Sequence, residues 1–206
     1  MATRFMHYIL AWEGVSARNF PDEQRELFLV GSLLPDAVAM RDKKNTHFMD
    51  SRLALRSNKA KLRQTLGSCP PALLLGWETH LDLDELWQRT CFRPRLVRAP
   101  LLFLRYGIQT GRYYYAEMSS FDVLYRRGLA PEGYKAAKDS VEGLMKYVPP
   151  TETGIALPQW ELLLAKIKAD WEKEDTYTSW EFVGAKTFTR FCSLARQKVV
   201  ENLLRL

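Results

Sequence analysis

The sequence predicts an all-α protein, a single domain over residues 1–206 with about seven or eight helices around one core. Three observations carry that prediction. Apolar residues recur at helical spacing, as at Trp160, Leu163, Leu164, Ile167 and Trp171. Prolines and glycines fall where helices start and stop. No segment shows the strict apolar–polar alternation of a half-buried strand, and no internal repeat or low-complexity tract is present.

Taken in order, residues 3–12 (TRFMHYILAW) read as a first helix with His7 among apolar neighbours. Asn19 then stands as a cap ahead of Phe20-Pro21-Asp22-Glu23, where a proline and two acids suit a first turn. That second helix runs through RELFLVGSLL and stops near Pro35, because the residue before a proline avoids helical geometry. Residues 36–50 form a polar connection, and helical spacing resumes in SRLALRSNKAKLRQTLG until Gly67. Pro70 and Pro71 open a helix that carries Leu73-Leu74-Leu75 into GWETHLDLDELW. CFRPRLVRAP follows, broken by Pro94 and Pro100. From Leu101 to Arg127 a long helical pattern is interrupted near Gly107 to Gly111. PEGYKAAKDSVEGLMKY is amphipathic and ends at Pro149-Pro150, LPQWELLLAKIKADWEKE opens with a proline, and a last segment from Ser179 sets Phe182, Phe188, Phe191, Leu194, Val199, Leu203 and Leu204 on one broad stripe.

Composition bounds the function. Apolar residues make up 47% of the chain, with 6 Trp, 9 Tyr and 10 Phe, which is a globular and not a disordered balance. A net charge of +6 is compatible with anionic small molecules, lipid headgroups or nucleic acid, and a solvated basic surface with no such partner is the commoner meaning of an excess this size. No basic run exceeds Lys43-Lys44 or Arg126-Arg127, and no aromatic–basic repeat builds a nucleic-acid platform. The opening MATRFMHYILAWEG lacks the apolar core and cleavage pattern of a secretory leader, and no run of 18 apolar residues exists to span a membrane. Cys69, Cys91 and Cys192 lie far apart without CxxC spacing, so reduced thiols and a cytoplasmic protein are expected. Nothing in the sequence fixes the oligomeric state.

The chemistry-bearing residues cluster early. His7, His47 and His80 are the chain's 3 histidines. His80 and Asp84 are one helical turn apart, so both side chains leave one face and can bind one cation without bending the backbone. Trp77, Leu81 and Trp87 would bury that helix, and the positions around Asp84 at i±3 and i±4 are Leu81, Trp87, His80 and Gln88. None is Lys or Arg, so the Asp84 charge needs compensation from elsewhere. The alternative is a hydrogen-bonded His80–Asp84 couple with no metal. Asp36, after Pro35, and His47, in the connection beyond it, supply further ligands of the kind that zinc, iron or manganese recruits.

These residues resemble the zinc-dependent phospholipase C family, whose all-helical fold is shared with single-strand-specific fungal nucleases. The resemblance is carried by His7 in MHYILA, by LVGSLLPDA with Asp36, by NTHF with His47, and by GWETHLDLDELW with His80 and Asp84. It covers roughly the first 90 residues. It implies that Asp36, His47, His80 and Asp84 ligate one zinc, and that Asp84 bridges to a second ion held by His7. The chain departs from the family in having no histidine after His80, so the third metal site is not expected. It opens Met-Ala-Thr, so a mature N-terminal tryptophan is not expected to complete the second site either.

What the resemblance implies is one or two zinc ions, iron or manganese being alternatives, and a metal-activated water that hydrolyses a phosphoester or related bond. Asp36 would be a ligand that also takes a proton from the attacking water. The substrate would be a small or lipid-like anion, with Arg93, Arg95 and Arg98 available to meet it. The competing expectation keeps the scaffold and its metal but not the hydrolysis: a lyase, cyclase or isomerase, or a metal-binding protein without catalysis.

Overall fold

Two close helix pairings around a central helix set the architecture. A computed structural model of the chain describes residues 2–18, 20–39, 42–49, 57–96, 99–174 and 182–206. Among the described residues every regular element is helical: α1 (Arg4–Ser16), α2 (Asp22–Leu33), α3 (Lys43–Thr46), α4 (Lys59–Leu66), α5 (Pro71–Trp87), α6 (Arg93–Leu96), α7 (Ala99–Tyr106), α8 (Thr110–Arg127), α9 (Pro131–Leu144), α10 (Leu157–Trp171) and α11 (Ala185–Leu203). The all-α prediction holds. Asn19, residues 51–56 and Ser179, used above as a cap, a helix start and a segment boundary, lie outside the described residues.

Local chemistry accounts for the boundaries. Thr3 caps α1 by accepting from the Met6 N–H, and Asn58 caps α4 by accepting from the Lys61 N–H. Pro71 occupies the first turn of α5, where its missing N–H costs nothing. Gly107, at φ +56°, turns the chain between α7 and α8, a left-handed conformation that a side chain would resist. Several boundaries differ from expectation: α4 begins only at Lys59, where Asn58 caps it, the short helix α3 lies inside the expected polar connection, and α11 begins only at Ala185, beyond Phe182. Pro94 does not break the chain after α5, because a π-helical turn over Gln88–Phe92 carries the helical course on into α6. A wider turn relieves the clash of a proline ring with the preceding carbonyls.

Helix α5 is the hub. It packs along most of α2 and also meets α1, α4 and α11. The α2–α5 approach is nearly backbone to backbone: a Cβ placed on Gly31 would lie 2.0 Å from the Leu73 carbonyl oxygen, and one on Gly76 would lie 2.1 Å from that of Phe28. Only glycine permits that distance. On another side of α5, Asn202 of α11 donates to Thr79 Oγ1 and Asp82 Oδ2, both at 3.0 Å. Buried Trp77, Trp87, Phe121, Trp160, Trp171 and Phe191 fill the interior, with Trp87 meeting Phe191 edge-on at 4.8 Å between centroids. Farther out, the buried Glu117 carboxylate accepts the backbone N–H groups of Phe182, Val183 and Gly184, tying the entry of α11 to α8.

Candidate metal centre

Four segments deliver the site. α1 supplies His7, the 3₁₀ turn Leu34–Asp36 after α2 supplies Asp36, the residue closing α3 is His47, and α5 contributes His80 and Asp84. The loop holding His47 is pinned from outside. Trp77 donates its indole N–H to the Thr46 carbonyl at 2.8 Å, and the Thr46 hydroxyl donates to the Pro35 carbonyl at 2.9 Å. Phe48, immediately after His47, is held at φ +50°, a left-handed conformation costly for an aromatic residue.

The five side chains meet. Asp84 Oδ1 is 3.1 Å from His7 Nε2 and accepts the Ala2 backbone N–H at 2.9 Å. Its other oxygen, Oδ2, lies 3.3 Å from His47 Nε2 and 3.8 Å from His80 Nε2, and no hydrogen bond satisfies it. His47 Nε2 is 3.2 Å from His80 Nε2 and 4.0 Å from Asp36 Oδ1. The His7 ring stacks on His80 with centroids 3.7 Å apart, and its buried Nδ1 has no partner. Two sets of three ligand atoms, each mutually within 4.8 Å, result: His7, His80 and Asp84; and Asp36, His47 and His80.

The tautomers follow from the hydrogen bonds. His80 Nδ1 faces the Ser32 carbonyl oxygen at 2.8 Å, and His47 Nδ1 faces the Lys43 carbonyl oxygen at 3.0 Å. A carbonyl oxygen only accepts, so both protons sit on Nδ1 and both Nε2 atoms present lone pairs. Those lone pairs point at each other across 3.2 Å, with Asp84 Oδ2 and Asp36 Oδ1 beside them. Lys43 Nζ meets Asp36 Oδ1 at the edge of the group, but His47 Nε2, His80 Nε2 and Asp84 Oδ2 converge with no donor between them among the described residues, an arrangement that a cation resolves. A carbonyl behind each imidazole is also the usual outer support of a metal-binding histidine. The metal-free couple weighed from the sequence is not formed, because 3.8 Å between His80 Nε2 and Asp84 Oδ2 is too long for a hydrogen bond.

Electrostatics favour the ligand-ready state. Burial, helped by His7, pushes the His80 imidazole down to about 3, so it is neutral at ordinary pH. Burial alone would raise both carboxyls. For Asp84 the His7 imidazole beside Oδ1 is the chief group that outweighs it, and the carboxyl is held well below the usual carboxylate range. For Asp36, His80, Lys43 and His7 do the same and hold it at about 2. Lys43 Nζ pairs directly with Asp36 Oδ1.

A cavity of about 380 Å³ adjoins the centre, lined among others by Ala2, Arg4, Lys43, Tyr114, Tyr115 and Lys166. Of the five metal-binding candidates, Asp36 is the one that lines it. Two of the three arginines expected to meet a substrate do not line the cavity. Arg93 is exposed on α6, Arg95 donates to the Val183 carbonyl and to Thr187 Oγ1 at 2.7 Å, and Arg98 lies outside the described residues. Sequence reasoning did not find Lys43, Arg4 or Lys166 as the cations of the cavity wall. Lys43 alone had a local signal, standing four residues before His47 in the connection after Asp36. No helix among the described residues is long and apolar enough to cross a membrane. Comparison with protein-family models, with curated proteins and with solved structures returned no match, so the reading of this centre rests on its own residues.

Proposed function

We propose that the chain is a metal-dependent hydrolase that acts on a phosphoester or related bond of a small or lipid-like anionic substrate. The observation that carries this reading is the convergence of His47 Nε2, His80 Nε2 and Asp84 Oδ2 as acceptors with no donor between them among the described residues, with Asp36, paired to Lys43, beside them. That donor set suits zinc, with iron or manganese as alternatives, and His7 beside Asp84 Oδ1 suits a second, weaker site. A bound zinc would lower the pKa of a coordinated water toward neutrality and polarise an ester oxygen. The protein's own groups have separable tasks. The Ser32 and Lys43 carbonyls orient the two imidazoles. Lys43 offsets the Asp36 charge, Arg4 is paired with Asp170, and Lys166 adds a further cation to the cavity wall that an anion can meet. Asp36 is the ligand positioned to touch a water or substrate in the cavity and to receive a proton there.

The test is metal counting followed by turnover. Protein purified without added metal should contain about one equivalent by elemental analysis, as expected for one His/Asp set. The zinc-loaded protein should hydrolyse a chromogenic phosphodiester, and Asp36→Asn should abolish that activity. Metal-loaded protein that turns over no phosphoester would favour the non-hydrolytic alternative. Folded protein that binds no metal would refute the reading as a whole.

A further inference from the structure

A stretch remote in sequence from the ligands remains unexplained by metal chemistry. Between Glu85 and Glu117 the chain contains no acidic residue, yet it carries Arg89, Arg93, Arg95, Arg98, Arg105 and Arg112. Within it α7 and the turn after it expose their largest apolar side chains: Leu101 is 68%, Phe103 58%, Leu104 82% and Ile108 96% accessible. Isolated exposed leucines are ordinary, but four large apolar groups within eight residues of one element are not. The segment is anchored from behind. The Tyr106 ring packs on Tyr113 at 4.5 Å and on Phe182 at 5.5 Å, and Arg95 is fastened to Val183 and Thr187. A fixed helix that turns its apolar residues outward does so against something.

We infer that this face, Leu101, Phe103, Leu104 and Ile108 with the exposed Arg93, Arg105 and Arg112 around it, docks the protein on an anionic lipid surface. The charge pattern selects that partner. Two copies of the chain joined through this face would set the arginines of one against the like-charged arginines of the other. A lipid surface accepts the apolar side chains into its acyl boundary and supplies anionic headgroups to the arginines. Tyr115, 64% accessible on the helix that follows, suits the headgroup level because its ring is apolar and its hydroxyl polar. The docking face also shares a helix with the metal centre's cavity, since α8 carries both Arg112 and the cavity-lining Tyr114 and Tyr115. Docking is independent of the ion and does not require the proposed hydrolysis.

The experiment is flotation of the whole chain with vesicles of phosphatidylcholine alone and of phosphatidylcholine mixed equally with phosphatidylserine. Binding should be confined largely to the anionic vesicles, should weaken as salt is raised, and should survive chelation. The double variant Leu104→Glu/Ile108→Glu alters two side chains that already face solvent. It should keep parental helicity and lose binding by about tenfold or more, the scale set by burying two large apolar groups. Arg105→Gln/Arg112→Gln should flatten the salt dependence, because fewer cations then meet the headgroups. Equal affinity for neutral and anionic vesicles would overturn the inference, as would undiminished binding of the glutamate variant. A dimer that this variant abolishes, without vesicle binding by the parent, would do the same and identify a second copy as the occupant.

Discussion

Gly76→Ala is the sharpest test of how the fold holds the centre. The added Cβ would stand 2.1 Å from the Phe28 carbonyl oxygen and 2.9 Å from the Ser32 nitrogen, whereas ordinary contact begins at 3.4 Å. Backbone cannot rotate away as a side chain can, so α5 must retreat from α2 by about 1.3 Å, in a core packed to crystal-like density. Gly76 lies one turn before His80, whose Nδ1 proton is held by the Ser32 carbonyl at 2.8 Å. Transmitted one turn along the helix, the displacement stretches that bond to about 4 Å, beyond hydrogen-bonding range. Overpacking and a lost buried hydrogen bond together cost about 3–5 kcal/mol, which for a chain of this size lowers Tm by roughly 10 °C. Freeing the His80 ring from its carbonyl should weaken metal binding about 10- to 100-fold as well. Gly143→Ala in α9 is the matched control: nothing lies within 4 Å of its added Cβ, and Tm should stay level or rise. Urea and thermal denaturation of both variants, with zinc titration of each, check the argument. A Gly76→Ala protein that melts with the parent and binds zinc equally well would refute it.

Three further outcomes are expected. Chelation of metal-loaded parent should lower its melting temperature, by an amount equivalent to about 2.7 kcal/mol when free metal is a hundredfold above Kd, and an unchanged midpoint would count against a native-state ion. Asp84→Asn keeps the shape but supplies a neutral, poorer ligand, so calorimetry should show metal affinity and any phosphodiesterase activity falling together, while circular dichroism reports intact helices. Asp122 concerns pH: burial, reinforced by Asp170, pushes its carboxyl up to about 8. A raised carboxylate pKa means that the folded state holds a proton the unfolded chain has released, so this group destabilises the fold increasingly as pH rises from about 4 to 8, by no more than about 1.4 kcal/mol per pH unit. The gap in urea midpoint between Asp122→Asn and the parent should therefore widen across that window, and a gap constant with pH would show that Asp122 is ionised throughout.

The helices were legible because their signals are local. Pro71 in a first turn, the prolines at the starts of α9 and α10 and the apolar spacing from Trp160 to Trp171 each act within a few residues. Pro94 misled because a proline rule written for α-helices does not cover the wider π-helical turn before it. The five ligand candidates were legible as residue types at suggestive spacings, but their meeting depends on the Gly31 and Gly76 crossing, which no single segment announces. The cavity wall was the least legible part. Lys43, Arg4 and Lys166 come from three elements far apart in sequence, and a lysine carries no local mark of what it will face. Arginine density pointed instead to Arg93 and Arg95, which the fold spends on an exposed surface and on a tether to the entry of α11.

That α11 buttresses α5 has a consequence in time. Every ligand candidate lies within the first 84 residues, yet Asn202, which braces Thr79 and Asp82 on the ligand-bearing helix, follows Asp84 by 118 residues. At ribosomal speeds of about 5–20 residues per second, that interval lasts roughly 6–24 s. Throughout it, a nascent chain displays three histidines and two aspartates on helices that lack their final brace. On the proposed reading, a divalent ion would meet these groups before that brace has closed the site. Which metal the mature protein holds would then reflect the order of synthesis as well as the affinity of the finished site.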